Sequence, residues 1–249
     1  MKGRPLTNNL ETEKIFMDNK SIAPSWQIFS SSTLKMIAVI TMFIDHFGYT
    51  VVYWSDGQGQ YYQLCRDIGR IAFPIYCFLL VEGFFYTRSR LRYTVNLLIF
   101  GILSEIPFNL ALGAAVRLPG YQNVFFTLSC GLLAIWGMEK IREKHILLMV
   151  LPAAAGMAAA YLLHTDYDFK GVLLIVILYL FREQPVPRFF CGALCLYWEW
   201  KAIFAWIPIT LYNGKRGWMS GPVLKYLFYV FYPAHLLLLA YLRYHFFHI

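Results

Sequence analysis

The chain is a succession of apolar runs, each close to the length of a membrane helix, set between short loops that hold most of its cations. A hydrocarbon core of roughly 30 Å takes about 20 apolar residues in a helix. Backbone groups facing lipid must be satisfied within a helix or a closed barrel. Nine hydrophobic segments can be read, at 34–53, 68–87, 93–113, 123–138, 146–163, 170–181, 189–200, 202–213 and 223–244. The expected fold is therefore all-α, a polytopic transmembrane helical bundle with about nine membrane segments. The sixth, seventh and eighth are short for a full crossing, which predicts tilted, re-entrant or broken helices there. "EWKAIFAWIP", Glu199 to Pro208, reads as a tight turn or a distorted helix, so the segment count spans eight to ten. Composition excludes the soluble alternative: 14% charged residues are too few to coat a domain of 249 residues that is 59% hydrophobic.

The net charge of +8 sits in the loops and not on one helix face, so it reads as a topology signal and a source of anion sites, with no nucleic acid among the partners. "RSRLR" (Arg88 to Arg92), "KIREK" (Lys140 to Lys144), "REQPVPR" (Arg182 to Arg188) and "GKRG" (Gly214 to Gly217) follow every second segment. The alternate loops carry few cations, chiefly Arg66, Arg117, Lys170 and Lys201. The positive-inside rule then places the N-terminus in the cytoplasm and the C-terminus outside. Residues 1–33 are polar and mixed, without the apolar core of a cleavable signal peptide. They form a cytoplasmic tail ahead of one transmembrane domain, 34–249. Five cysteines show no CxxC spacing. Cys191 and Cys195 lie one turn apart in an apolar segment, as buried thiols and not as metal ligands, and no metal is expected.

Ionisable groups at membrane depth are costly and usually functional. Here they are Asp45 and His46 in the first segment, Arg70 and Glu82 in the second, Glu105 in the third and His235 in the ninth. Lys35 and His46 are eleven residues apart, close to a whole number of turns, so they share a face and stand ~16 Å apart along the axis. A cation at the cytoplasmic mouth and an imidazole near the midplane suit a long ligand with phosphates at one end and a reactive group at the other. Coenzyme A carrying an acyl thioester has that shape. Asp45, as the neighbour of His46, points about 100° away and is not expected to orient it. Glu105 or Glu82, arriving from another helix, is the better candidate for that role. Asp45 is expected to neutralise Arg70, and Glu82 with Arg88 can form an interfacial ion pair. The loop "HTDYDFKG", His164 to Gly171, suits helix capping or substrate contact. The aromatic stretch "KYLFYVFYPAH", Lys225 to His235, is mostly packing, with Pro233 able to open backbone carbonyls toward a cavity. Other chemistries fit poorly. The chain has no GxSxG elbow, HExxH, P-loop or dinucleotide fingerprint, and "TLSCG", Thr127 to Gly131, lacks a companion for a rhomboid-like serine protease.

Five blocks together resemble the TraX family: "LKMIAVITMFIDHFG" (Leu34 to Gly48), "GRIAFPIYCFLLVEGFFYTRSRLRY" (Gly69 to Tyr93), "SEIPFNL" (Ser104 to Leu110), "NVFFTLSCGLL" (Asn123 to Leu133) and "KYLFYVFYPAHLLLL" (Lys225 to Leu239). The resemblance implies a multi-spanning protein of the bacterial cytoplasmic (inner) membrane that acetylates the N-terminus of a pilin, with acetyl-CoA as donor. It also implies kinship with transmembrane acyltransferases, whose site is marked by a basic residue, ten intervening residues and a histidine, the spacing of Lys35 and His46. Where the family pattern has glycine after the Asp-Tyr of the fifth-to-sixth loop, this chain has Asp168 after Asp166 and Tyr167. The resemblance implies His46 as base and Lys35 as a donor-binding cation, and matches Asp45, Arg70, Glu82, Glu105 and His235 without giving them a role. The expected site has His46 as base with Glu105 and Asp45 in catalysis. Lys35, Arg70, Arg88, Arg90 and Arg92 are expected on the donor, with Lys140 and Arg142 as an alternative cation pair. His235, Glu82 and Tyr232 are expected on the acceptor, an amine or a hydroxyl of a pilin, peptide or small molecule. The other readings are a proton-coupled transporter or flippase using the same groups as a relay, or a structural partner of a secretion apparatus. The last leaves the buried ionisable set without a purpose.

Overall fold

Ser30 starts the first helix by accepting the Thr33 N–H at 3.3 Å on its hydroxyl, which satisfies one of the donors a helix start leaves open. The computed structural model describes residues 24–113, 120–142, 145–219 and 221–248. The tail up to residue 23, Arg117 and Lys144 lie outside the described residues. The first helix, α1, covers Ser31–Phe47 and continues through a π-helical stretch, Gly48–Val52, into the short α2, Tyr53–Asp56. Then come α3 (Gln60–Gly69), α4 (Ala72–Tyr86), α5 (Arg90–Gly113), α6 (Val124–Arg142), α7 (Val150–Leu162), α8 (Asp168–Leu180), α9 (Pro185–Cys195), α10 (Trp206–Thr210) and α11 (Pro222–Phe247). Among the described residues β-pairing is limited to two isolated bridges, Phe29 with Tyr212 and Gln122 with Thr165.

Among the described residues five helical stretches are long and apolar enough to cross a membrane: Ser31–Asp56, Gln60–Tyr86, Arg90–Gly113, Val124–Arg142 and Tyr226–Phe247. The reading of about nine membrane segments is therefore met by five of that length. The other four expected segments are shorter. The fifth is the apolar helix Ile146–Leu162, and α8 and α9 have 13 and 11 residues. The eighth is a 3-10 stretch, Tyr197–Ala205, broken at Glu199 (φ −135°, ψ 57°) and followed by the five-residue α10. Apolar periodicity is the same in a short buried helix and in a crossing one, so pattern alone does not separate them.

Helix α6 packs against α7 and α8, α11 runs along α5, and α1 lies against α3 and α4. Leu34, Ile75, Phe84, Leu132, Ile135, Leu174 and Ile175 are fully buried between them. The four basic loops that alternate along the sequence gather at one end. Ser31 N–H donates to Lys215 O at 2.8 Å and the Ser32 hydroxyl donates to Arg216 O at 2.8 Å. Arg182 reaches Glu82 at 2.7 Å, while Tyr179 near the end of α8 hydrogen-bonds Glu139 near the end of α6.

Gly69, at the close of α3, makes room for Asp45. A Cβ there would lie 2.2 Å from Asp45 Oδ1 and from its Cβ, both closer than any packed contact. Gly69→Ala is accordingly expected to lower stability by about 1–3 kcal/mol, the usual cost of overpacking. Thermal unfolding of the purified variant in detergent checks this, and an unchanged midpoint would contradict the packing.

Candidate active site

Eleven residues of regular α1 bring Lys35 and His46 onto one face, and both line a single cavity of about 980 Å³. The cavity has two unlike ends. Lys35, Arg88, Lys215 and Arg216 lie toward the end where the basic loops meet. Asp45, Asp166 and Tyr167 lie toward the other, where the α3–α4 junction faces the α7–α8 loop. Aromatic side chains form much of the wall between, among them Phe73, Tyr76, Tyr229 and Tyr232.

His46 is held by His235. Its Nδ1 is 2.7 Å from His235 Nε2, the two rings are nearly coplanar at 8°, and their centroids are 5.0 Å apart. His235 Nδ1 in turn lies 2.7 Å from the Phe231 carbonyl oxygen, one turn back on α11. A carbonyl oxygen only accepts, so His235 Nδ1 carries a hydrogen. With both rings neutral, His235 Nε2 is then a lone pair that accepts from His46 Nδ1–H. The second nitrogen of His46, Nε2, is left with its lone pair and no proton. A backbone carbonyl on one helix thus fixes the tautomer of a ring on another, and the ring is set as a base.

None of the expected carboxylates contacts His46. Glu105 on α5 accepts from the backbone N–H of Asn123 at 3.1 Å and from its side-chain amide, and so fixes the start of α6. Glu82 pairs with Arg182 and not with Arg88. Asp45 pairs with Arg66 at 2.6 Å, one turn before Arg70, and Arg70 pairs with Glu199 at 3.1 Å. Of the expected donor-side cations, Lys35 and Arg88 line the cavity. Arg90 stacks over Phe84 at 4.3 Å, Arg92 is exposed, Lys140 stacks over Trp136 at 4.8 Å and Arg142 pairs with Glu139 at 3.9 Å. Glu82 and Tyr232, expected on the acceptor, line the cavity, whereas His235 stands behind His46.

Residue-by-residue reading missed Lys215, Arg216, Asp166, Arg66 and Asn123. The glycines flanking Lys215 and Arg216, both with positive φ (72° at Gly214, 80° at Gly217), were the available sign that this loop is tightly shaped. Asp166 lies in the loop His164 to Gly171, which the sequence offers for helix capping or substrate contact. Tyr121 donates a hydrogen bond to it. Burial raises its carboxyl above the usual carboxylate range, with Tyr121, Arg66 and Arg70 opposing.

Two buried polar atoms at the cavity wall lack hydrogen-bond partners: Asp45 Oδ1 and the Tyr232 hydroxyl. Tyr232 is 3% exposed, and its ring meets that of His46 edge-on at 5.9 Å. Burying a hydroxyl without a partner costs about 1–3 kcal/mol. Among the described residues no three His, Cys, Asp or Glu side chains come together in a way that holds a metal ion.

The family model described as TraX protein matches residues 30–243. The chain belongs to the TraX family. A relative in Dichelobacter nodosus, called probable fimbrial assembly protein FimC of serogroup H1, is 32% identical over 237 residues, covering 85% of this chain and 95% of that one. No solved structure matches. The TraX match spans every residue of the cavity named above. Asp168, where the glycine of the TraX pattern was expected, has φ 51°. That left-handed backbone is one that glycine adopts freely and aspartate tolerates better than most residues, so the loop keeps its course.

The hydrogen-bond chain fixes an observable. In ¹⁵N-labelled protein, Nδ1 of both His46 and His235 is expected to show the shift of a protonated ring nitrogen, and Nε2 of His46 that of a bare one. The reverse pattern at His46 would overturn the assignment of its tautomer.

Proposed function

We propose that this TraX-family protein is an integral membrane acetyltransferase of the bacterial inner membrane. It moves an acetyl group from cytoplasmic acetyl-CoA to an amine or hydroxyl of a pilin or fimbrial subunit. The observation that carries the reading is the hydrogen-bond chain from His46 through His235 to the Phe231 carbonyl, on the wall of a cavity that has cations at one end; it leaves Nε2 of His46 as the nitrogen free to accept a proton. The family match and the fimbrial assembly relative support an acceptor from the pilus machinery. By the positive-inside rule the cationic end is the cytoplasmic one.

In this reading the phosphates of acetyl-CoA rest against Lys35, Arg88, Lys215 and Arg216, and the pantetheine arm runs along α1 to bring the thioester to His46. The acceptor meets it there. His46 Nε2 takes the proton of the attacking amine or hydroxyl as the bond to the acetyl carbon forms. The carbon–sulfur bond then breaks, and the same proton goes to the departing thiolate. His235 accepts the Nδ1–H throughout and stabilises the charged ring without taking the proton itself. A carboxylate is not needed for that role, because the Phe231 carbonyl supplies the polarisation from behind.

His46→Ala is expected to keep acetyl-CoA binding while turnover falls by ~10² or more, the usual size of a general-base contribution. His46→Gln should behave likewise. His235→Gln offers an amide oxygen to His46 Nδ1–H and should retain most activity. Equal losses in the two glutamine variants, both folded, would replace a single base by a two-histidine relay. Acetylation of a fimbrial subunit, read by mass spectrometry in cells with and without the protein, tests the activity itself.

Acetyl-CoA binding should weaken with rising salt, since partly exposed phosphate contacts are screened within ~8–10 Å at ordinary ionic strength. Calorimetric titration across a salt series checks this. Salt-independent binding, or cysteine labelling that places Arg88 outside the cell, would remove the cationic end as the donor site.

A further inference from the structure

The hydroxyl of Tyr232 is a hydrogen-bond donor buried without an acceptor, and it belongs to the cavity wall beside the base. The ring is held edge-on by Phe125 at 5.1 Å, by His235 at 5.7 Å and by His46 at 5.9 Å. Tyr232 and His235 are three residues apart on α11, so one turn of one helix carries both. His235 uses that turn to orient His46. Tyr232 spends its hydrogen on nothing in the protein.

A buried donor left open at a reaction site points to an acceptor that arrives with the substrate. The base His46 accepts at Nε2 and cannot donate until it has taken a proton. The incoming nucleophile brings its own hydrogen. The group in the reaction that needs a donor is the thioester oxygen, which becomes negative when the nucleophile adds to the acetyl carbon. We infer that Tyr232 is a catalytic residue whose hydroxyl donates to the thioester carbonyl oxygen and holds it as an oxyanion in the tetrahedral intermediate. The bookkeeping is complete without a further group. The nucleophile bonds to the acetyl carbon, its proton passes to His46, and the oxygen gains the electron pair of the carbonyl π bond. That pair returns when the carbon–sulfur bond breaks, and His46 returns the proton to sulfur. Tyr232 keeps its own proton from start to finish.

This assignment rests on the acetyltransferase reading, and a measurement that needs no acceptor separates the two. Infrared difference spectra of acetyl-CoA labelled with ¹³C at the thioester carbonyl are recorded free and bound to purified protein. In the wild-type protein the carbonyl band is expected to move to lower wavenumber on binding, as a hydrogen-bonded carbonyl does. In Tyr232→Phe, which keeps the ring and removes the hydroxyl, it should return to the free position with acetyl-CoA affinity changed by less than about threefold. Turnover in that variant should fall by ~10²–10³, as on loss of one oxyanion donor. If Tyr232→Phe does not fold, 3-fluorotyrosine at the same position is a stronger donor and should enlarge the shift. No shift in the wild type, or the same shift without the hydroxyl or with the fluorinated ring, overturns the role of Tyr232 and leaves the acetyltransferase reading standing. No acetyl-CoA binding by the wild type overturns that reading itself, and this assignment with it.

Discussion

Polar groups at the depth of a membrane have no water to turn to, and each must find its partner in the protein. That requirement ties this molecule together. Glu82 on α4 is met by Arg182 beyond α8, Asp45 on α1 by Arg66 on α3, Glu105 on α5 by Asn123 at the start of α6, and His46 on α1 by His235 on α11. Each pair joins elements that the loops alone leave free to separate. Breaking one by removing a single partner strands a buried charge or donor, at a cost of about 3–5 kcal/mol for a buried ion pair. Of the buried polar atoms that lack a partner, Asp45 Oδ1 and the Tyr232 hydroxyl are the two that belong to residues of the cavity wall.

The parts of the molecule that can be read from the sequence are those set by local periodicity. Lys35 and His46 fall in phase because α1 is regular from Ser31 to Phe47, and the π-helical stretch that would have spoiled the register begins only at Gly48. The five long apolar helices are legible for the same reason. Partnerships are not. Glu105 looked free to orient His46 because nothing in its own segment shows that Asn123, across a loop, takes its carboxylate. Arg66 and Arg70 sit one turn apart, and spacing gives no reason for Asp45 to choose the first while Glu199 takes the second. That choice depends on how closely α1 approaches Gly69, a distance set by tertiary packing. His235 was legible as a histidine at depth on an aromatic helix, but neither the ring it meets nor the carbonyl at its Nδ1 was.

The cavity combines two demands that usually conflict. Phosphates, in the proposed reaction, call for cations, and an imidazole that must take up a proton is best kept from them. Here about three turns of α1 separate Lys35 from His46, and aromatic walls fill the interval. In the proposed reaction the cations gathered at one end act on the far end of a long ligand and leave His46 to its own surroundings. At the opposite end the charges are mostly spent on one another, in Asp45 with Arg66, Arg70 with Glu199 and Lys201 with Asp67.

The clasp between the start of α1 and the segment before α11 has a consequence for how such a chain is made. Ser32 and Arg216, joined by a hydrogen bond, are 184 residues apart, and Phe29 pairs with Tyr212 beside them. On a ribosome α1 emerges early, but the strap that fixes its beginning is synthesised only when most of the protein has been threaded into the bilayer. His235, still later in the sequence, completes the setting of His46. A nascent chain stalled at any earlier point has His46 without the ring of His235 and the cavity without Lys215 and Arg216. Completion of the cavity is thereby postponed until the segments from Lys215 to His235 have been made, by contacts that join α1 to residues far downstream.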